Sequence, residues 1–145
     1  MRQREGGFTL IELMVVLVIL ASLLAIVGPA VLGSGEKGRR TAAQAQIASF
    51  RSALDRFQID MHRVPTAQEG LDALITKPVG EGADKWAGPY LRDAEKVPVD
   101  PWDKPYVYRA PGQNGRAYDI ISYARDGKEG GEGDDKDITS WLAKD

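Results

Sequence analysis

Cysteine is absent from the 145 residues, and histidine occurs once, at His62. These absences exclude a disulfide framework, a cysteine nucleophile, thiolate zinc, iron–sulfur clusters and any His-rich metal centre. No Walker A, GxSxG or GxGxxG pattern occurs, so phosphate cradles and nucleophile elbows have no support. Neither sign of charge dominates. With 19 Lys and Arg against 21 Asp and Glu, the net charge is −2 and the pI about 5.5, which argues against nucleic acid as a partner. No catalytic constellation is visible, and no enzyme is expected.

What is present is unevenly distributed. Mean hydropathy is −0.32 overall, yet 20 of the 25 residues from Phe8 to Leu32 are apolar, and Leu13 to Gly35 carries no charge. That length suits a membrane span, which takes about 20 residues at 1.5 Å each. From Glu36 onward the chain is polar, with 17 basic and 19 acidic residues. A cleaved secretory signal is the poorest reading of the run. Its apolar region spans about 7–15 residues and ends in a small-residue cleavage site, and this run is longer and lacks the site.

Glu12 decides between a plain anchor and a processed assembly helix. A carboxylate at membrane depth costs on the order of 3 kcal/mol. Cleavage between Gly7 and Phe8 offsets that cost, because the new amine of Phe8 is a cation one turn from Glu12 or beside the Glu12 of a neighbouring copy. A helix N-terminus also favours negative charge. The alternative is that Glu12 snorkels to the headgroups. The run Gly6-Gly7-Phe8-Thr9-Leu10-Ile11-Glu12, behind a leader carrying Arg2 and Arg4, resembles the prepilin-type cleavage and methylation signature of type IV pilin-like proteins. The resemblance implies a prepilin peptidase that cuts after Gly7 and methylates Phe8. It also implies a bacterial inner-membrane protein, single-pass, with its head in the periplasm; basic residues flank both ends of the run, so charge alone does not orient it.

Beyond the run, Gly28-Pro29 predicts a kink or local melt, and Gly33-Ser34-Gly35 a second weak point. From about Thr41, Ile47, Phe50, Leu54, Phe57 and Met61 recur at helical spacing and predict a core-facing stripe. A helix continuous from Thr9 to His62 would be roughly 80 Å long, a stalk ending in a head. Pro65 is expected to end it. Thr66-Ala67-Gln68-Glu69 reads as a capping box opening a short helix with Leu71, Leu74 and Ile75 inward. Trp86, Tyr90, Leu91, Val97 and Trp102 are expected to anchor the Gly- and Pro-rich stretch from Lys77 to Pro105. Tyr106–Arg109 and Tyr118–Tyr123 read as strands of a hairpin around Pro111-Gly112-Gln113-Asn114-Gly115. The resulting segments are a leader at 1–7, an assembly helix at 8–35, an amphipathic helix at 36–64 and a globular head at 65–145.

The second half narrows the resemblance. Pro65-Thr66, Gly70-Leu71, Ala73-Leu74, Asp100-Pro101-Trp102, Pro105-Tyr106, Asp126-Gly127 and Asp137-Ile138 with Trp141 resemble the major pseudopilin family of type II secretion systems. The likeness covers nearly the whole chain. Asp103 and Ala124 stand where glycine is expected, and Lys136 where a small residue is. The resemblance implies an α+β, type IV pilin-like fold, its long N-terminal helix packed on a small antiparallel sheet with a C-terminal calcium-type loop. It implies a structural subunit that polymerises with itself into a helical homopolymer and drives export of folded proteins. The implied partners are prepilin peptidase, minor pseudopilins, the inner-membrane secretion platform and the inner membrane. A type IV pilus or competence pilin is the alternative within this class, though pilins commonly close their C-terminal region with a disulfide. A membrane-anchored calcium-binding domain that never polymerises is the alternative outside it.

Residues 125–137 hold six acidic and three basic residues with four glycines. Calcium takes six to eight oxygens from carboxylates, carbonyls and water. Asp126 and Asp137 are the first candidates, then Asp135 and Asp134, with main-chain carbonyls of Tyr123 and Lys128. The spacing is not that of an EF-hand, and Gly130-Gly131-Glu132-Gly133-Asp134-Asp135 matches a β-roll repeat only once. A solvated flexible loop is the competing reading. The resemblance implies one Ca²⁺ between the loop's ends.

Overall fold

The computed structural model describes residues 9–92 and 94–141, with the backbone alone for residues 24–34. Gly7, Phe8 and the leader lie outside the described residues. The chain divides into two units, Met1–Lys37 and Gly38–Asp145. One helix, α1 (Leu10–Met61), contributes to both. It carries through Gly28-Pro29 and Gly33-Ser34-Gly35, so the expected local melt is absent. Proline removes one donor from the ladder, and the turns on either side stay helical. Among the described residues no helix is long and apolar enough to cross a membrane. The uncharged run Leu13–Gly35 includes the side chains of 24–34, which are outside that description.

Helix α1 stops earlier than proline alone requires. Its last residue is Met61, and His62 turns left-handed at φ 55°. This is the αL conformation with which many helices end, usually at glycine. The apolar stripe falls as its spacing predicts: Ile47, Phe50, Leu54, Phe57 and Met61 are buried, joined by Ala43 and Ala53. Burying each large side chain stabilises by about 1.5–3 kcal/mol. Phe50 meets Tyr106 edge-on at 5.0 Å, and Phe57 meets Tyr90 at 5.6 Å.

The capping box at Thr66 forms as expected. Thr66 N–H donates to Glu69 Oε2 at 2.8 Å, and Glu69 N–H donates to Thr66 Oγ1 at 3.2 Å. The helix it opens is a 3-10 helix, Gly70–Leu74, burying Leu71, Ala73 and Leu74. The irregular stretch beyond is held by the residues singled out for it. Tyr90 and Leu91 are buried, Trp86, Val97 and Trp102 pack on the core, and the Trp86 indole donates to the Ala73 carbonyl at 2.9 Å.

Three antiparallel strands form the sheet, in the order β1 (Val107–Arg109), β2 (Asp119–Ser122), β3 (Ile138–Thr139). Val107 pairs with Ile121 and Arg109 with Asp119; Ile121 pairs with Thr139 and Ser122 with Ile138. The expected hairpin is therefore present, and β3 extends it. Its connection is a wide loop in which Asn114 and Gly115 are both left-handed, at φ 53° and 77°. All four residues of β2 are buried, including the polar Asp119 and Ser122. Buried polar groups require partners, and these have them. Asp119 accepts from Arg116 and from Gln113 N–H, and Ser122 Oγ donates to Asp100 at 2.6 Å.

Candidate functional site

Two places carry the functional expectations, the start of α1 and the loop between β2 and β3. At the first, Glu12 occupies the opening turn of α1. Its Oε2 accepts from Thr9 N–H and Thr9 Oγ1, both at 3.3 Å, and Glu12 N–H donates to Thr9 Oγ1 at 3.3 Å. This reciprocal pairing is a capping box, Thr9-x-x-Glu12. Glu12 is thus a helix cap as well as a candidate partner for the Phe8 amine, and sequence reasoning missed the cap although its signature is the one read at Thr66. Around it, the side chains from Leu10 (79% exposed) to Leu20 (50% exposed) form an uncovered apolar surface.

The second place is assembled from 123–137. Ala124, Gly127, Gly130, Gly131 and Gly133 all have positive φ, so the chain reverses repeatedly in a short span. Gly131 is required by crowding, since a Cβ there would sit 2.4 Å from the Asp135 carbonyl oxygen. Gly127 N–H donates to the Tyr123 carbonyl at 3.0 Å, and Lys128 N–H to Asp126 Oδ1 at 3.1 Å. Gly130 and Asp137 close the loop on each other: Gly130 N–H donates to Asp137 Oδ2 at 2.9 Å and Asp137 N–H to the Gly130 carbonyl at 3.3 Å.

Cations already hold much of this loop. Arg125 grips Asp135 through both oxygens at 2.9 and 3.0 Å, which keeps that carboxyl below the usual range. The Lys104 ammonium donates to the carbonyls of Ala124 and Arg125, and Arg40 on α1 donates to those of Asp134 and Lys136. Arg109 reaches Glu129 and the Tyr123 hydroxyl. The Asp134 side chain stands exposed.

Tyr123, Asp126 and Lys128 therefore share one hydrogen-bonded turn and Asp137 closes a second one on Gly130, whereas the Asp135 carboxylate faces Arg125. Among the described residues no three acidic or imidazole side chains gather into a group that holds a metal. One atom is nevertheless unsatisfied: Asp137 Oδ1 is buried and has no hydrogen-bond partner among the described residues. A buried carboxylate oxygen without a donor is costly. That orphan fits a hard cation whose remaining places carboxylates, carbonyls and water would fill.

Comparison with known proteins is consistent across both places. The family model described as type II secretion system (T2SS), protein G, matches residues 30–141, and the prokaryotic N-terminal methylation motif matches residues 2–28. The type II secretion system core protein G of Pseudomonas aeruginosa is 44% identical over 142 residues, 97% of each chain. That of Vibrio cholerae is 40% identical, covering 99% of this chain and 96% of the relative. The crystal structure of the major pseudopilin from the type 2 secretion system of enterohaemorrhagic Escherichia coli superposes with a TM-score of 0.57 at 30% identity, over 74% of this chain and 90% of that one.

Proposed function

The chain belongs to the type II secretion system protein G family, a structural subunit of the pseudopilus, and on that premise we propose that it works by polymerising. Family membership selects the secretion pseudopilin over the pilus or competence pilin. One observation carries the polymer reading: the apolar side chains of the first turns of α1 are half or more exposed in the single chain. A surface of that kind needs a cover. In this reading lipid of the inner membrane covers it before assembly, with the head in the periplasm, and the helices of other copies cover it afterwards. Prepilin peptidase cuts between Gly7 and Phe8, and the methylated amine of Phe8 meets Glu12 of a neighbouring copy. Minor pseudopilins and the inner-membrane platform complete the machine, which exports folded proteins without chemistry in this chain. The test is the mass and N-terminal sequence of protein from its native membrane. A chain starting at N-methylated Phe8 is expected; an active chain retaining residues 1–7 overturns the reading.

The same reading gives the acidic loop one calcium ion, supported by the orphan oxygen of Asp137. Asp126 and Asp137 hold it with their carboxylates, and Tyr123 and Lys128 supply carbonyls. Asp134 is exposed and near enough in sequence to join, whereas Asp135 joins only by leaving Arg125. Bound calcium ties the two ends of the loop together and relieves repulsion among its acids. Extracellular calcium modules work at about 10⁻⁴–10⁻³ M. The Asp126→Ala Asp137→Ala variant melts lower than the parent in chelator, because two backbone donors lose acceptors. The gap widens when millimolar calcium is added. A gap that is the same in both buffers removes the metal.

A further inference from the structure

Two adjoining clefts, of about 310 and 340 Å³, open beside the C-terminal half of α1 and share Arg56, Tyr90 and Arg92. Pro89 and Ile59, the latter 70% exposed, set apolar surface beside these polar groups. Arg56 is fixed in place by donating to the Tyr90 carbonyl at 2.8 Å, and Asp60 accepts from the Tyr90 hydroxyl at 2.9 Å. Among its described lining residues the groove carries two guanidinium groups, of which Arg56 is held in place, and one acid, Asp60, that is engaged by a phenol.

The opposite charge lies on the loop between β2 and β3. Its basic residues and their neighbours take up Asp135 and Glu129, while the carboxylates of Glu132 and Asp134 stand exposed. Arg40 fixes where that edge lies, by binding the carbonyls of Asp134 and Lys136. Arg40 and Arg56 are sixteen residues apart on α1, which places them about 24 Å apart along the helix and about 160° apart around it. The buried stripe of Phe50, Leu54 and Phe57 lies between them. Acidic edge and basic groove thus occupy opposite flanks of one helix, displaced along it. Two copies that join edge to groove once leave one edge and one groove free, so further copies can add in the same sense, as an open helical polymer requires.

We propose that the Glu132–Asp134 edge of one copy docks in the Arg56–Arg92 groove of the next, as a head-to-head contact of the filament. The proposal rests on the polymer reading above and adds the surface through which the heads meet. Docking covers Ile59 and pairs the exposed acids with Arg56 and Arg92.

The absence of native cysteine makes a clean test available. Full-length Arg92→Cys Glu132→Cys protein, oxidised in assembled filaments, is expected to give a ladder of covalent multimers. Each single-cysteine variant gives none. Glu132→Lys and Arg92→Glu, which set like charges together, each lower filament yield by about tenfold or more. The double swap restores it, and melting temperatures stay at the parental value throughout. Filaments that form without a ladder, with yields indifferent to the swaps, overturn the docking surface and leave the polymer reading standing. Parental protein that forms no filament overturns the polymer reading before any variant is made, and the docking surface falls with it.

Discussion

The two ends of α1 use the same residue types to opposite effect. From Leu10 to Leu23 the large apolar side chains are exposed and nothing among the described residues covers them; from Ala43 to Met61 an apolar stripe is buried under the 3-10 helix and the sheet. The carboxylates of the two units differ likewise. Glu12 caps a helix at an exposed end, whereas Asp100 and Asp119 are buried and fully partnered. The difference is that one half of the helix is finished within the head, whereas the other half presents apolar surface that, in the polymer reading, lipid or other copies cover. A perturbation at one end should therefore leave the other end's readout unmoved.

The largest separation is expected at Glu12. A charge-assisted bond contributes about 1.5–3 kcal/mol, so its loss at each subunit contact weakens assembly by roughly 10- to 100-fold. Glu12→Ala should abolish filaments in electron micrographs while the head melts as in the parent. Glu12→Gln sharpens the point, because glutamine still closes a capping box yet carries no charge with which to form an ion pair with the ammonium. Assembly by Glu12→Gln at the parental level would make the cap, and not the charge, the role of this residue.

Phe57→Ala is the converse. Removing a buried phenylalanine costs about 3–5 kcal/mol, and the head should lose thermal stability heavily while cleavage after Gly7 proceeds normally. Failure of cleavage in this variant would mean that the two ends are coupled.

That division was legible in the sequence to differing depths. The stripe at Ile47, Phe50, Leu54, Phe57 and Met61 was readable because five matches to one period outweigh local noise. Thr66-Ala67-Gln68-Glu69 was readable as a cap, yet the same pattern at Thr9–Glu12 was overshadowed by the membrane argument about Glu12. Strand β3 was not readable, since two residues, Ile138 and Thr139, carry no periodicity. The clamps on the loop were out of reach for another reason. Arg40 and Lys136 are 96 residues apart, and no local propensity encodes such a pair. The metal ligands remain a reading of composition, which names acids without saying which of them, like Asp135, an arginine will hold.

A smaller effect, confined to the finished half, is expected from Asp119. Burial pushes its carboxyl up, but Arg116 and the Gln113 N–H outweigh that and hold it below the usual range. A carboxyl depressed in the folded state contributes stability above its unfolded value, about 3.9, and loses it as pH falls through the lower folded value. Glu69, lowered by Arg63 and Thr66, acts in the same direction. The head should therefore weaken below about pH 4. Asp119→Ala leaves the Gln113 donor unpaired and should cost about 1–3 kcal/mol at pH 7, with a flatter acid limb in a urea titration. An unchanged acid limb would place the pH sensitivity elsewhere.

The smallest effect is a gain. Asp103 and Ala124, the two positions where glycine was expected, are both left-handed, at φ 61° and 47°. Asp103 is a residue type that tolerates this region, whereas alanine has no polar side chain to compensate for the steric cost. Ala124 is fully buried, and its carbonyl accepts from the Lys104 ammonium at 3.2 Å, so the conformation is held by its surroundings. Ala124→Gly removes the Cβ penalty and returns part of the gain as chain entropy in the unfolded state. Loss of the buried methyl offsets about 0.8 kcal/mol more, so a net stabilisation of roughly a few tenths of a kcal/mol is expected, read as a slightly higher urea midpoint with an unchanged slope. Filament yield should not move, because the strain sits in the half of the molecule that is already complete. A gain in assembly alongside the gain in stability would show instead that the left-handed turn at Ala124 limits how the acidic loop is presented to the next copy.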